Sequence, residues 1–282
     1  MVSAWESWAT KFVNYRLRLP RKVTGLRLTG ERPIEGKTPD SLLALHAAGY
    51  REVLDRIGGG RFLDIGCGLG DGSALFLGGG RTVFGVDYDP ATAIAAHEAR
   101  SDLRTAASDG SRIAVRTGSV DWVCSSHLIE HFVDPEGHVA ESARVLGDEG
   151  AAFFITPNAP ADFENPYHVY LFEPDDLRQM LGRHFEDVTV LGLDGDAAVK
   201  ADFERRRKFA RTLLKLDPWG LRHKLPRSWF VGLHAFARRV TYPFLNRKAA
   251  EAPPITAEQF SITEMIDPTT LVLFAVAKRP KR

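Results

Sequence analysis

The sequence predicts an α/β fold: a seven-stranded, mostly parallel sheet with helices on both faces and a helical insertion before the last strand. Three observations predict it. Short apolar runs alternate with helix-like stretches, and strands separated by helices pair in parallel. The first run flows into the glycine cluster Gly66-Cys67-Gly68-Leu69-Gly70, and a strand that enters a glycine-rich turn and then a helix is a nucleotide-binding design. The chain has 282 residues, 44% of them hydrophobic, enough to bury the core of one such domain and carry an insertion.

Residues 1–60 precede the first strand and read as an N-terminal helical lid or cap, with a helix-like pattern over Pro39–Ile57. Residues 61–196 form the core. Arg61–Cys67 and Thr82–Tyr88 are buried-strand runs, the second holding Asp87 near its end. Arg104–Ser108 is a weaker run that ends at Asp109-Gly110. Asp121–Ser126 and Ala151–Thr156 follow, the latter closed by Pro157-Asn158, and Asp187–Leu193 is the sixth strand. Helices are expected at Ser73–Leu77, Ala91–Arg100, Leu128–Leu146 and Pro174–Gly182. Residues 197–260 are the insertion, and residues 261–282 complete the core with a seventh strand at Leu271–Lys278.

The formal net charge is +1, so the chain as a whole selects no class of partner. Its two cysteines, Cys67 and Cys124, sit in apolar, strand-like sequence. Buried free thiols are expected rather than a disulfide, and no Cys-x-x-Cys pair suggests zinc. Residues 1–18 mix Trp5, Trp8 and Phe12 with Glu6, Lys11, Arg16 and Arg18 and lack the apolar run of a signal peptide. No run of roughly 18 apolar residues offers a transmembrane segment. A cytoplasmic location is the expectation.

The insertion is biased in charge. Val199–Lys248 carries 14 Lys/Arg against three Asp/Glu, with Trp219, Trp229, Phe230, Phe236, Tyr242 and Phe244 interleaved. Two compatible readings stand. One is an amphipathic helical cap with solvated charges. The other is a surface for an acceptor, an anionic membrane headgroup or a second copy in a homo-oligomer.

Glycines allow a tight turn and let a ligand approach the backbone, and the helix beyond offers free N–H groups at its start. Alone, the loop suits a dinucleotide equally well. Asp87 ends the second strand, where a carboxylate can accept both ribose hydroxyl hydrogens, and NAD proteins share this feature. Asp109, in Ser108-Asp109-Gly110, is a further signal: a carboxylate there can accept from an adenine amino group.

These ordered motifs, Leu63–Gly70, Val83–Pro90, Ser108–Gly110 and Val120–Asn158, resemble the class I S-adenosylmethionine (SAM)-dependent methyltransferases, in the subgroup with small-molecule, quinone and sugar acceptors. The resemblance spans residues 60–195 and the last strand. It implies a Rossmann-like core with SAM as cofactor. Asp64, Gly66, Cys67, Gly68 and Gly70 would hold the methionine end. Asp87 would bind the ribose, with Tyr88 near the adenine. Asp109 and Gly110 would face the adenine edge, and Ser125 and Ser126 would lie beneath the sulfonium. A loop-ordering role for Asp64 and plain packing for Tyr88 and Ser126 stay open.

Methyl transfer from a sulfonium is an in-line substitution, in which the protein supplies alignment. A hydroxyl acceptor has a high pKa and gains from a general base or a metal ion. His127-Leu128-Ile129-Glu130-His131 follows the fourth strand. If it opens a helix, His127, Glu130 and His131 share one face, and His168 follows the fifth strand. Some branches of the resembled family bind Mg2+ or a similar divalent metal through Glu-x-x-Glu-His. Here His127 replaces the first glutamate, and imidazole is a poorer Mg2+ ligand than carboxylate. A metal on His127, Glu130, His131 and His168, a metal-free histidine base, and structural histidines all stay open. His131, with Glu130 and His127, is the expected catalytic group in either functional case.

Thr156-Pro157-Asn158 and His168–Leu177 are similar to methyltransferases of sugar and polysaccharide biosynthesis. That implies O-methylation of a saccharide, polysaccharide precursor or glycoconjugate, with Trp219 and Trp229 as candidates to stack on sugar faces. One alternative is a small-molecule enzyme acting on a natural product, quinone or amine. Another is a non-catalytic SAM-binding protein, against which the intact loop, Asp87, Asp109 and Glu130-His131 argue. The basic segment permits a nucleic-acid substrate, but no Asn-Pro-Pro-Tyr-like motif follows the fourth strand. The motif order after Asp87 disfavours a dehydrogenase.

Overall fold

The computed structural model describes residues 38–162, 168–214 and 254–282. Its strands are β1 (Gly60–Ile65), β2 (Arg81–Asp87), β3 (Arg104–Ala107), β4 (Val120–Ser126), β5 (Leu146–Pro157), β6 (Phe185–Gly195), β7 (Phe260–Thr263) and β8 (Val272–Pro280). They form one Rossmann-like sheet in the order β3-β2-β1-β4-β5-β8-β6-β7. β1 to β5 run parallel. β8 lies antiparallel to β5 and β6, and β7 antiparallel to β6.

The sheet therefore has eight described strands rather than the expected seven. The extra one, β7, pairs with Gly192–Gly195 of β6 at the sheet edge. It straddles the expected boundary between insertion and last strand. Its four residues bury only Phe260, too short a pattern to declare a period of two.

The helices are α1 (Asp40–Leu54), α2 (Pro90–Ala99), α3 (Pro135–Val145), α4 (Pro174–His184) and α5 (Ala197–Leu214). Proline opens α2, α3 and α4, where its fixed φ and missing N–H cost nothing. Asp89 and Asp134 cap α2 and α3 by accepting from Ala91 N and Glu136 N. This cap corrects the single helix expected over Leu128–Leu146. Ile129–His131 is one 3-10 turn, the chain then leaves helical geometry, and α3 starts afresh at Pro135. Pro135 disfavours helical geometry at Asp134, which sits at φ -117° and ψ 90°, and the helix breaks there. Ser73–Phe76 is likewise a 3-10 turn, shorter than the helix expected there.

Successive strand residues feed opposite faces. Leu63, Val123 and Phe154 pack with Val139 of α3 and Leu177 and Leu181 of α4. Phe62, Cys124 and Phe153 pack with Leu45, Ala48 and Val53 of α1 and Val199 and Phe203 of α5. Covering both faces makes the strands continuous apolar runs. Cys67 and Cys124 are buried free thiols, as expected. No described helix is long and apolar enough to cross a membrane. Residues 1–37, the stretch 163–167 and residues 215–253, with Trp219, Trp229 and most of the basic insertion, lie outside the described residues.

Candidate functional site

A cavity of about 700 Å3 lies beyond the C-terminal ends of β1, β2 and β4, where open α/β sheets bind ligands. Gly66, Gly68 and Gly70 adopt φ of +79°, +54° and +80°, which only glycine takes without strain. Four of the loop's five amides already have acceptors. Gly66 N and Cys67 N donate to Val86 O at 2.8 and 3.0 Å, Gly70 N donates to Cys67 O at 2.9 Å, and Gly68 N donates to Asp87 Oδ2 at 3.1 Å. A Cβ added at Gly68 would meet nothing within 4 Å, so the backbone there is open to a ligand.

Of the residues expected around a cofactor, Gly66, Cys67, Gly68, Asp87, Tyr88, Asp109, Gly110 and Ser126 line the cavity. Asp64, Gly70 and Ser125 are not on its wall. Asp64 is fully buried. It accepts from Ser73 Oγ at 2.5 Å and from Tyr50 OH at 3.3 Å. Burial pushes its carboxyl up to about 7, against the pull of those two hydrogen bonds. Asp109 Oδ1 accepts from both Ser111 N and Ser111 Oγ at 2.8 Å, and these bonds hold its pKa below the usual range.

Ser125 ties the site together from behind. Its hydroxyl lies 2.8 Å from His138 Nε2, and His138 Nδ1 lies 2.8 Å from Gly110 O. A carbonyl only accepts, so Nδ1 carries the proton and Nε2 accepts from Ser125. Burial lowers His138 to about 4, so its ring is neutral. Phe132 stacks on that ring with centroids 4.8 Å apart.

The sequence reading missed the wall that α1 supplies. Asp40, Leu43, His46, Ala47 and Tyr50 all line the cavity, yet nothing local in α1 marks them as more than one face of a helix. It also missed Gly85 of β2, where a Cβ would lie 2.8 Å from Cys67 Sγ. The missing side chain lets the glycine loop lie on β2.

His46, Ser126, His127 and His131 line the cavity. His127 sits at φ +50°, a strained value for a non-glycine residue, and its ring packs on His46 with centroids 4.2 Å apart. Burial, then the neighbouring His127, hold the His46 pKa well below its usual value. Glu130 is 1% exposed. Its Oε2 accepts from Thr156 Oγ1 at 3.0 Å. Its Oε1 stands 3.6 Å from His127 Nδ1, too far for a good hydrogen bond. Burial pushes the Glu130 acid up, but His127, His131 and His168 outweigh it and hold the value at about 2. Among the described residues, Glu130 Oε1, Ser126 Oγ and His127 Nε2 are buried without a hydrogen-bond partner.

The expected grouping of His127, Glu130 and His131 on one helical face is corrected by the 3-10 turn. Glu130, His131 and His168 instead converge, with ligand atoms all within 4.8 Å of one another, and His127 is outside that group. Val169 N and Tyr170 N donate to Glu130 O at 2.8 and 3.0 Å, which brings the His168 segment to the turn.

Residues 63–154 match the methyltransferase domain family. The matched stretch runs from β1 into β5 and contains the glycine loop, Asp87, Asp109, Glu130 and His131. A probable SAM-dependent methyltransferase of Mycolicibacterium smegmatis is 32% identical over 167 residues, 56% of this chain and 64% of that protein. The chain thus spans a little under two thirds of that relative's length. Solved structures share the fold. A SAM-dependent methyltransferase of Thermotoga maritima, described as a possible histamine N-methyltransferase, aligns with TM-score 0.55 and 13% identity over 84% of this chain and 91% of its own. The 4+2 cyclase SpnF aligns with TM-score 0.51 and 12% identity over 82% and 80%. At such identities the likeness is one of fold, and the activities of these two proteins already differ as described.

Proposed function

We propose that this chain transfers the methyl group of SAM to a hydroxyl of a small acceptor. One observation carries the reading. A single cavity holds the open glycine loop, Asp87 and Asp109 together with Ser126, His127 and His131. Its volume suits a small-molecule site. The residues present fit SAM: the backbone is open at Gly68, and a carboxylate ends β2.

SAM supplies an electrophilic methyl group on a sulfonium. The chain's own residues bind and align the partners. His131 takes the hydroxyl proton, and the ionised Glu130 beside it stabilises the resulting imidazolium. Ser126 Oγ and His127 Nε2, which lack partners among the described residues, offer hydrogen bonds that orient the acceptor. Leu128 and Phe132 give that wall an apolar lining. The finer reading is a hydroxyl of a saccharide, polysaccharide precursor or glycoconjugate. Its support is the resemblance over His168–Leu177, together with histidines suited to proton removal.

His131→Ala tests the reading. SAH, the demethylated product of SAM, should bind the variant as tightly as the parent in calorimetry. Turnover with labelled SAM across sugar, quinone and amine acceptors should fall at least about 100-fold. Near-normal turnover removes His131 from the chemistry. Activity on amines alone overturns the hydroxyl acceptor, and SAH binding without turnover on any acceptor favours a non-catalytic SAM-binding protein.

A further inference from the structure

The geometry points to a binding site for a divalent first-row transition ion, of the zinc or cobalt kind, formed by Glu130, His131 and His168. Five observations converge on it. The three ligand atoms lie within 4.8 Å of one another. Ligands about 2.1 Å from a tetrahedral ion stand about 3.4 Å apart, so modest side-chain rotation closes the set. Glu130 Oε1 is buried without a hydrogen-bond partner among the described residues, with His127 Nδ1 no nearer than 3.6 Å. A buried carboxylate oxygen left in that state is costly unless a cation answers it.

The surroundings are built as metal sites are built. Asp162 Oδ2 lies 2.9 Å from His168 Nδ1. A carboxylate on one ring nitrogen fixes the tautomer, directs the lone pair to the other and raises its basicity. Thr156 Oγ1 holds the second Glu130 oxygen at 3.0 Å. The Glu130 carbonyl clamps Val169 N and Tyr170 N, so the backbone beside His168 is anchored to the turn carrying the other two ligands.

The donor set selects the ion. Two imidazoles and one carboxylate suit zinc, cobalt, iron or manganese, whereas Mg2+ prefers an all-oxygen octahedron. Three protein ligands leave a position open. His131 lies on the cavity wall, so an ion there stands beside the space proposed for the acceptor. A bound ion would lower the pKa of an acceptor hydroxyl. That role rests on the proposed hydroxyl acceptor and would replace proton removal by His131, since a ring nitrogen bound to the ion cannot also take the proton; ion binding itself rests on neither.

The test is ion binding by the untagged 282-residue chain after chelator treatment. Co2+ should bind at one equivalent with visible d–d absorption, and Zn2+ should displace it. His168→Gln should weaken Co2+ binding at least about 100-fold, and Asp162→Asn about 10- to 100-fold. SAH affinity, measured by calorimetry on the same samples, should stay unchanged in both variants. That control keeps failure of the ion site apart from failure of the SAM reading. Absence of Co2+ binding, or equal binding by the parent and both variants, overturns the site. Mg2+ binding more tightly than Zn2+ overturns the ion class.

Discussion

Asp64 shows how far one side chain's role depends on residues distant from its motif. It stands in the strand that delivers the glycine loop, yet its oxygens face Ser73 and Tyr50 rather than the cavity. Burial raises its folded-state value from 3.8 to about 7. The folded protein then holds a proton that the unfolded chain releases, so stability falls as pH rises from about 4 to about 7. The full effect is on the order of 4 kcal/mol. Glu130 works in another window: its value, lowered to about 2, gives stability present above its unfolded pKa and lost as pH falls towards 2. His138, lowered to about 4, loses stability as pH falls from about 6.5. Asp64→Asn keeps one acceptor oxygen for Ser73 and Tyr50 but removes the charge. Its urea midpoint should gain on the parent's between pH 5 and pH 8. Parallel midpoint–pH curves for the two proteins would falsify the ionisable, buried Asp64.

At the scale of elements, strands were legible because two-sided burial writes them as continuous apolar runs. Phe62 to Ile65 and Phe153 to Ile155 leave no polar face except Asp64. Breaks were less legible. Glu130 and His131 read as helical by spacing, but Asp134 and Pro135 restart the helix behind them. The contact of β2 with the glycine loop was invisible for a related reason, since it depends on an absent side chain. A methyl at Gly85 would sit 2.8 Å from Cys67 Sγ and 2.9 Å from Cys67 Cβ, so the loop must lift. Gly85→Ala should therefore weaken SAH binding at least tenfold while the far-UV circular dichroism stays parental. Unchanged affinity in calorimetry would show that the loop does not rely on β2 for its position.

Across the whole molecule, the two ends of the cavity differ in how their parts are distributed along the chain. The end proposed for the cofactor is built from Gly66 to Gly70, Asp87 and Asp109, which each follow a strand, in order, and so stand out in the sequence. The end proposed for the acceptor joins His46 of α1, the turn from His127 to His131 and the segment at His168, which only the folded sheet brings near one another. The ambiguity left by the glycine loop, SAM or a dinucleotide, turns on hydrogen bonding. A pyrophosphate needs free loop amides. Here four of the five loop amides, those of Gly66, Cys67, Gly68 and Gly70, are already donated to Val86, Asp87 and Cys67. The Asp87 carboxylate on Gly68 would repel a phosphate, whereas a ribose or a cationic sulfonium ligand tolerates it. At about 100 times its dissociation constant, SAH should stabilise the fold by about 2.7 kcal/mol. That corresponds to a rise in Tm of roughly 5 °C for a chain of this size. NAD+ at the same concentration should produce none, and equal stabilisation by NAD+ would return the cavity to the dinucleotide class.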